Sequence, residues 1–223
     1  MDGKLFGQAL AKFAAGVLVM GLLLFLPAGT FDWWQGWLLM GILFIPMFAA
    51  GLVMMAKAPN LLRKRLNNKE EEDEQKIVIA ASALMFIGAF VVAGLGVRFG
   101  WPMLPAWASW AGAAVFLASY VLYAQVMREN EYLSRTIEVQ EGQHVVDTGL
   151  YGIVRHPMYS ATIWLFLSMP LVLGSAPAFA IMLLYLPIIA RRIANEEHVL
   201  RAGLEGYEEY TQRVRWRLIP HVW

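Results

Sequence analysis

Long apolar runs separated by short polar connections dominate the chain. A helix needs about 20 mostly apolar residues to cross the hydrocarbon core of a bilayer. Four stretches satisfy this, at residues 9–27, 34–56, 77–97 and 105–127. A fifth apolar region, 158–190, is interrupted by Pro170 and by Gly174-Ser175-Ala176-Pro177. A Gly-Ser-Ala-Pro sequence is a turn signal, so this region predicts two shorter helices in a tight hairpin. The second half is short for a full crossing, and Arg191 and Arg192 extend it by snorkelling. The pattern therefore predicts an all-α fold: a polytopic transmembrane helical bundle of about six spans, the last two a tight hairpin, with a cytoplasmic C-terminal helical segment. No internal repeat is visible. The chain reads as a single domain, 1–223, with an N-terminal four-span bundle over 1–128 and a polar-rich half over 129–223.

Composition agrees with this pattern. Of 223 residues, 59% are hydrophobic and 16% charged, against about 45–50% and about 25% for soluble domains. The net charge of +1 gives no electrostatic footprint for nucleic acid. Cysteine is absent, which excludes disulfides, a thiolate nucleophile and Cys-ligated metal. Lys4 and Lys12 precede an apolar run over 14–26 in the manner of a signal peptide. The following Pro27-Ala28-Gly29-Thr30-Phe31-Asp32-Trp33 is a poor cleavage site, so the run is expected to be a retained first span.

Lys and Arg counted over short loops set orientation. Lys57, Arg63, Lys64, Arg65 and Lys69 follow the second span, and Arg128, Arg135 and Arg155 follow the fourth. Arg191, Arg192, Arg201, Arg213, Arg215 and Arg217 sit in the tail. With six spans these fall on one side, which predicts that both termini are cytoplasmic. Trp33, Trp34, Trp37, Trp101, Trp107 and Trp110 predict an aromatic belt at the opposite interface. The run Lys69-Glu70-Glu71-Glu72-Asp73-Glu74 is expected to cap and solvate the start of the third span. Compactness and the lack of sorting signals point to a bacterial cytoplasmic membrane.

Polar residues concentrate at 130–159 and 191–220, the two flanks of the expected hairpin. Folding the hairpin brings them to one membrane face. The first contains Gly149-Leu150-Tyr151-Gly152-Ile153-Val154-Arg155-His156-Pro157-Met158-Tyr159. Pro157 suits the first turn of a helix, which puts Arg155 and His156 at a helix entrance whose N–H groups favour an anion. Taken alone, the same block reads more readily as an anchoring arginine and a helix-start proline. The second flank contains Arg191-Arg192-Ile193-Ala194-Asn195-Glu196-Glu197-His198. If the helix continues there, Arg192 and Glu196 form an i,i+4 pair and Glu197 lies on another face. Tyr207 and Tyr210 share a helical face, either as a plain surface pair or as a lid over a cationic ligand. There is no GxGxxG, P-loop, HExxH or nucleophile elbow. His144, His156, His198 and His221 have no metal-ligand spacing, so no metal is expected.

The blocks Gly149-x-Tyr151, Arg155-His156-Pro157-x-Tyr159, Arg192-Ile193-x-x-Glu196-Glu197-x-x-Leu200, Tyr207-x-x-Tyr210 and Arg217-Leu218-Ile219-Pro220 resemble the isoprenylcysteine carboxyl methyltransferase family. The Gly149–Tyr159 and Arg192–Leu200 blocks are shared with the membrane phospholipid N-methyltransferases. The resemblance covers about the last 100 residues. Leu150 replaces a common Pro, and Ala161 stands where Gly is frequent. The resemblance implies an integral membrane S-adenosylmethionine-dependent methyltransferase acting on a lipophilic small molecule or lipid that enters from the bilayer. It implies that 129–223 is a cofactor-binding half, closed by the C-terminal segment. It carries Tyr151, Arg155, His156, Pro157, Tyr159, Glu196, Glu197, Tyr207 and Tyr210 over as cofactor-site residues, with Arg155, His156 and Glu197 as the catalytic set. In that role Arg155 would clamp a carboxylate with its fork, and Glu197 or His156 would take a proton from an amine acceptor. A membrane NADPH-dependent reductase of the sterol reductase type has a related C-terminal half; it would use Arg191, Arg192 and Arg201 for the extra phosphates. A non-enzymatic lipid-binding membrane protein would need only a charged tail on the headgroups.

Overall fold

The computed structural model describes residues 3–59, 62–63, 73–130, 132–133 and 139–223. Lys64, Arg65, Lys69, Arg135 and the acids at 70–72 lie outside the described residues, as do the side chains of Asp73 and Glu74. The described elements are all helical. They are α1 (Gly3–Ala28), α2 (Trp34–Lys57), α3 (Asp73–Arg98), α4 (Ala106–Glu129), a 3-10 turn (Gly149–Gly152), α5 (Pro157–Val172), α6 (Ala176–Met182), α7 (Tyr185–Gly203) and α8 (Tyr207–Arg213).

Among the described residues, five stretches are long and apolar enough to cross a membrane: α1, α2, α3 from Ile77, α4, and α6 with α7 taken together over Ala176–Gly203. Leu18, Leu26, Ile45, Leu84 and Val121 are all more than half exposed on these helices. Such faces are stable against lipid rather than water, and the chain is a multi-pass membrane protein.

The last two apolar helices depart from the sequence expectation. The shorter one comes first. α5 has 16 residues, about 24 Å of rise against a core of about 30 Å. The second helix does not stop near Ala190, where hydropathy falls, but continues to Gly203. It continues because the sequence turns amphipathic there rather than irregular. It also breaks at Leu183 and Leu184, between α6 and α7. Pro187 explains the break: it has no N–H and its ring would clash with the carbonyl of Leu183. That carbonyl instead accepts from Leu186 N at 3.1 Å.

Small residues let the helices approach. The buried seam of α4 is Ala108, Ser109, Gly112, Ala113, Phe116, Ser119 and Val126. A Cβ on Gly112 would meet Leu171 Cβ and Val172 N of α5 at 2.9 Å. A Cβ on Gly94 would meet Leu24 O of α1 at 2.6 Å. Where dispersion rather than the hydrophobic effect drives association, such close crossings hold a bundle together. Ring contacts tie α3 to α5 (Phe86–Phe166, 4.8 Å) and α5 to the start of α7 (Phe166–Tyr185, 4.9 Å). Thr162 Oγ1 also lies 2.9 Å from Tyr185 Oη.

At the end of α5 remote from Arg155, Gly174 adopts a left-handed φ of +71° and Ser175 caps α6 by accepting from Ala178 N. The Gly174 carbonyl accepts from Leu104 N at 2.8 Å, which pins the 99–105 connection to this turn. Trp34, Trp37, Trp101, Trp107 and Trp110 are exposed, but Trp33 is 3% exposed. Trp33 is thus a core residue rather than a belt residue: it precedes α2 and packs edge-on against Phe25 of α1.

Candidate active site

Three chain segments meet at the entrance to α5. A helix start leaves backbone N–H groups without partners. Here Arg155 N donates to Trp216 O and His156 N to Arg217 O, both at 2.9 Å, and Pro157 at the first helical position has no N–H to satisfy. Ser160 Oγ adds a bond to Leu218 O at 2.7 Å. Residues 214–218 therefore form a strap across this entrance. The two N–H groups expected to attract an anion are already occupied by main-chain carbonyls.

The strap is also held from below by a buried ionic centre. Glu197, 3% exposed, accepts from Arg155 Nε at 2.8 Å on one oxygen. It accepts from Arg217 Nε at 3.1 Å and Nη2 at 2.9 Å on the other. His156 Nε2 lies 3.1 Å from the Arg155-bound oxygen. Arg155 Nη1 donates to Val214 O at 2.8 Å and Arg215 O at 2.9 Å. Two guanidinium groups thus share one carboxylate, an arrangement that offsets the desolvation of all three only because nearly every donor and acceptor is paired. The side of the Arg155 fork that was expected to grip a ligand carboxylate is spent on Glu197 and the strap.

Glu196, one residue earlier on α7, is half-buried and faces differently. One of its oxygens accepts from Tyr159 Oη, which itself accepts from Arg192 Nε at 2.9 Å. Its other oxygen lies 3.8 Å from His156 Nδ1, beyond hydrogen-bond length. The expected Arg192–Glu196 pairing is therefore relayed through Tyr159.

The approach to α5 is shaped by Gly149, whose φ is +58°. A Cβ there would lie 2.6 Å from the Glu129 carboxylate, which accepts from Leu150 N at 2.8 Å. Glycine is required both for the left-handed backbone and for this approach. On the far side, α8 presents two tyrosines with different duties. Tyr210 Oη donates to Tyr151 O at 2.8 Å. Tyr207 Oη is buried without a hydrogen-bond partner. Burial pushes both hydroxyls up in pKa, and Glu197 and Glu196 add to the rise at Tyr207, so both remain protonated donors. Tyr210→Phe is expected to cost about 1 kcal/mol, read as a lower thermal unfolding midpoint in detergent.

Between these elements lies an open cleft. Of the residues expected at the site, Tyr151, Arg155, His156, Tyr159, Glu196, Tyr207 and Tyr210 line it. Pro157 and Glu197 stand behind the wall. Arg192, Met158, Asn130, Tyr132 and His144 also line it, and Tyr132 Oη is 2.9 Å from His144 Nδ1. Nothing in the sequence pattern around Tyr132 or His144 points to that pairing, because the segment has no periodicity. In the sequence Arg217 belongs only to the positive-inside count and to the final block; no local signal links it to Glu197, 20 residues away.

The family match falls on this region. Residues 110–202 match the isoprenylcysteine carboxyl methyltransferase (ICMT) family. A Delta(14)-sterol reductase of Mus musculus is 29% identical over 91 residues, 40% of this chain and 22% of that protein. A Delta(14)-sterol reductase of Methylotuvimicrobium alcaliphilum is 24% identical over 135 residues, 54% of this chain and 32% of that protein. The chain thus spans a third or less of these curated relatives. The solved structure of the eukaryotic intramembrane Ras methyltransferase ICMT overlaps 96% of this chain and 85% of its own, with 19% identity and a TM-score of 0.48. The segment that carries both Arg155 and Glu197 is thus similar to the isoprenylcysteine carboxyl methyltransferase family.

Proposed function

We propose that this chain is an S-adenosylmethionine-dependent methyltransferase whose acceptor is a lipophilic small molecule or lipid arriving from the bilayer. The observation that carries the reading is the convergence of Arg155-His156 with Glu196-Glu197, about 40 positions on, at one cleft that Arg155, His156 and Glu196 line and Glu197 backs. The family match over 110–202 supports the same chemistry. The residues present fit the cofactor: the cleft is lined by a buried hydroxyl without a partner, Tyr207 Oη, and by the partly exposed Glu196 carboxylate. S-adenosylmethionine, when bound, supplies a methyl group on a positively charged sulfur. Glu196 contributes an acceptor for ligand N–H or O–H groups, and the tyrosine faces favour a cation. The strap and α8 exclude water, and most of the catalysis is orientation of the two reactants.

Glu197 has both oxygens engaged by cations. Its role in this reading is to hold Arg155 and Arg217 in place rather than to take a proton. By the positive-inside count the cleft opens on the cytoplasmic side.

Calorimetry in detergent with S-adenosylmethionine, alongside thermal shifts with S-adenosylmethionine and with NADPH, tests the reading. Binding of the first and a rise in unfolding midpoint with it alone is the expected result. A shift with NADPH alone would transfer the assignment to the reductases that share part of this sequence. Binding of neither at millimolar concentration, with Arg155→Ala and Glu196→Ala unchanged, would leave a non-enzymatic lipid-binding protein.

A further inference from the structure

Away from the cleft, the first two spans leave an open apolar groove between the start of α1 and the end of α2. Glycines along the pair trace how it arises. Toward the tryptophan end the helices touch: a Cβ on Gly36 would lie 3.1 Å from the Phe25 ring, and one on Gly16 would lie 3.7 Å from Phe44. In the groove wall, a Cβ on Gly51 would meet nothing within 4 Å. The helices therefore diverge past Phe44. Pro46 lies at that point, and an internal proline removes a helix hydrogen bond and bends a helix. Phe13 closes the inner end, edge-on to Phe44 at 5.6 Å and against Phe48 at 5.1 Å.

Length and charge say what fits there. The walls run from Phe6 to Ala15 on α1 and from Met47 to Met55 on α2, about 12–14 Å of helix. One leaflet of the hydrocarbon core is about 15 Å deep. The groove thus has the length of an acyl chain lying along the helices within one leaflet. Met47, Met54 and Met55 give its wall side chains that adapt to chains of varied shape. The groove also carries cations at its outer end. Lys12 lines it, and Lys57 closes the last turn of α2, the turn that holds Met54 and Met55. A lysine beside a lipid-facing wall extends its ammonium to the headgroups, where phosphate is a strong partner. The acidic run at 70–74 precedes α3; the preference for an anion rests on the two lysines that the groove's own helices carry. A second copy of the chain, docked by two-fold symmetry, would bring the same two lysines into the shared surface.

We infer that the α1–α2 groove is a binding site for one anionic phospholipid, with an acyl chain between the helices and the phosphate at Lys12 and Lys57. The site is separate from the cleft and does not depend on the methyl-donor reading.

The test uses full-length protein stripped of lipid in detergent and titrated with dioleoylphosphatidylglycerol or dioleoylphosphatidylcholine, with bound lipid counted by native mass spectrometry. One phosphatidylglycerol per chain is expected, with phosphatidylcholine held about tenfold or more less tightly. Lys12→Gln and Lys57→Gln are each expected to weaken phosphatidylglycerol about fivefold and to leave phosphatidylcholine unchanged. Gly51→Phe places a ring in the groove and is expected to abolish the bound lipid. The lysine variants carry the test independently of how Gly51→Phe folds. Equal affinity for the two lipids overturns the inference, as does phosphatidylglycerol held by Gly51→Phe at the parent level. A lipid-free dimer that Gly51→Phe disperses would also overturn it and give the groove to a second copy.

Discussion

Glu197→Ala is expected to lower stability by about 3–5 kcal/mol, the cost of leaving a buried charge without its counter-ion. Arg155 is 8% exposed, so water does not replace the lost carboxylate. Arg217 loses both of its bonds to Glu197. In a chain of this size that cost corresponds to a fall of roughly 10 °C in thermal midpoint, and ligand binding should be lost with it. Glu196→Ala is a different experiment. Its carboxyl is partly exposed, and Tyr159 keeps Arg192 as a partner. It should cost about 1 kcal/mol of stability while weakening ligand binding. Thermal unfolding and calorimetry on the two variants separate the roles. Equal midpoints for both would mean that the ionic centre does not hold the strap.

The second large effect lies far from the cleft. Gly94→Val should bring the upper part of the about 1–3 kcal/mol typical of overpacking. The added Cβ would sit 2.6 Å from Leu24 O and 3.1 Å from Ala28 N. These are backbone atoms of α1, so no side-chain rotation relieves the clash; α1 and α3 must separate. Gly7→Val is the control, since nothing lies within 4 Å of a Cβ there. The yield of monodisperse protein and its unfolding midpoint should fall for the first and hold for the second.

The first four helices were legible because lipid-facing segments carry their signal locally: a run of about 20 apolar residues needs no partner to be read. Their ends agree with the sequence to within a few residues, apart from the starts of α1 and α3, where polar turns precede the apolar runs. The last helix was harder. Hydropathy stops at Ala190, but the backbone follows its hydrogen bonds to Gly203, and the break that Pro187 makes falls inside an apolar run that looks uniform. Trp33 was misread as interfacial because a tryptophan beside a span end is usually an anchor, and only the packing against Phe25 puts it inside.

At the site, residue types and approximate neighbourhood could be read, but not the direction each group faces. Arg155 and Glu197 do meet, yet they meet each other rather than a shared ligand. That outcome depends on Arg217 and the carbonyls of 214–217, contributed by a segment with no apolar periodicity. The different duties of Tyr207 and Tyr210 were hidden for the same reason: one helical face, three residues apart, gives no hint that one hydroxyl finds the Tyr151 carbonyl and the other finds nothing.

The strap has a consequence for how the molecule comes into being. Arg155, Glu197 and Arg217 leave the ribosome in that order, and neither guanidinium has its full set of acceptors until residues 214–217 have been made. For that interval the ends of α5 and α7 that carry Arg155 and Glu197 hold an arginine and an acid only partly matched. Chains released before Arg217 should therefore be preferred targets of membrane quality-control proteases, even though every apolar segment they need for insertion is already in place.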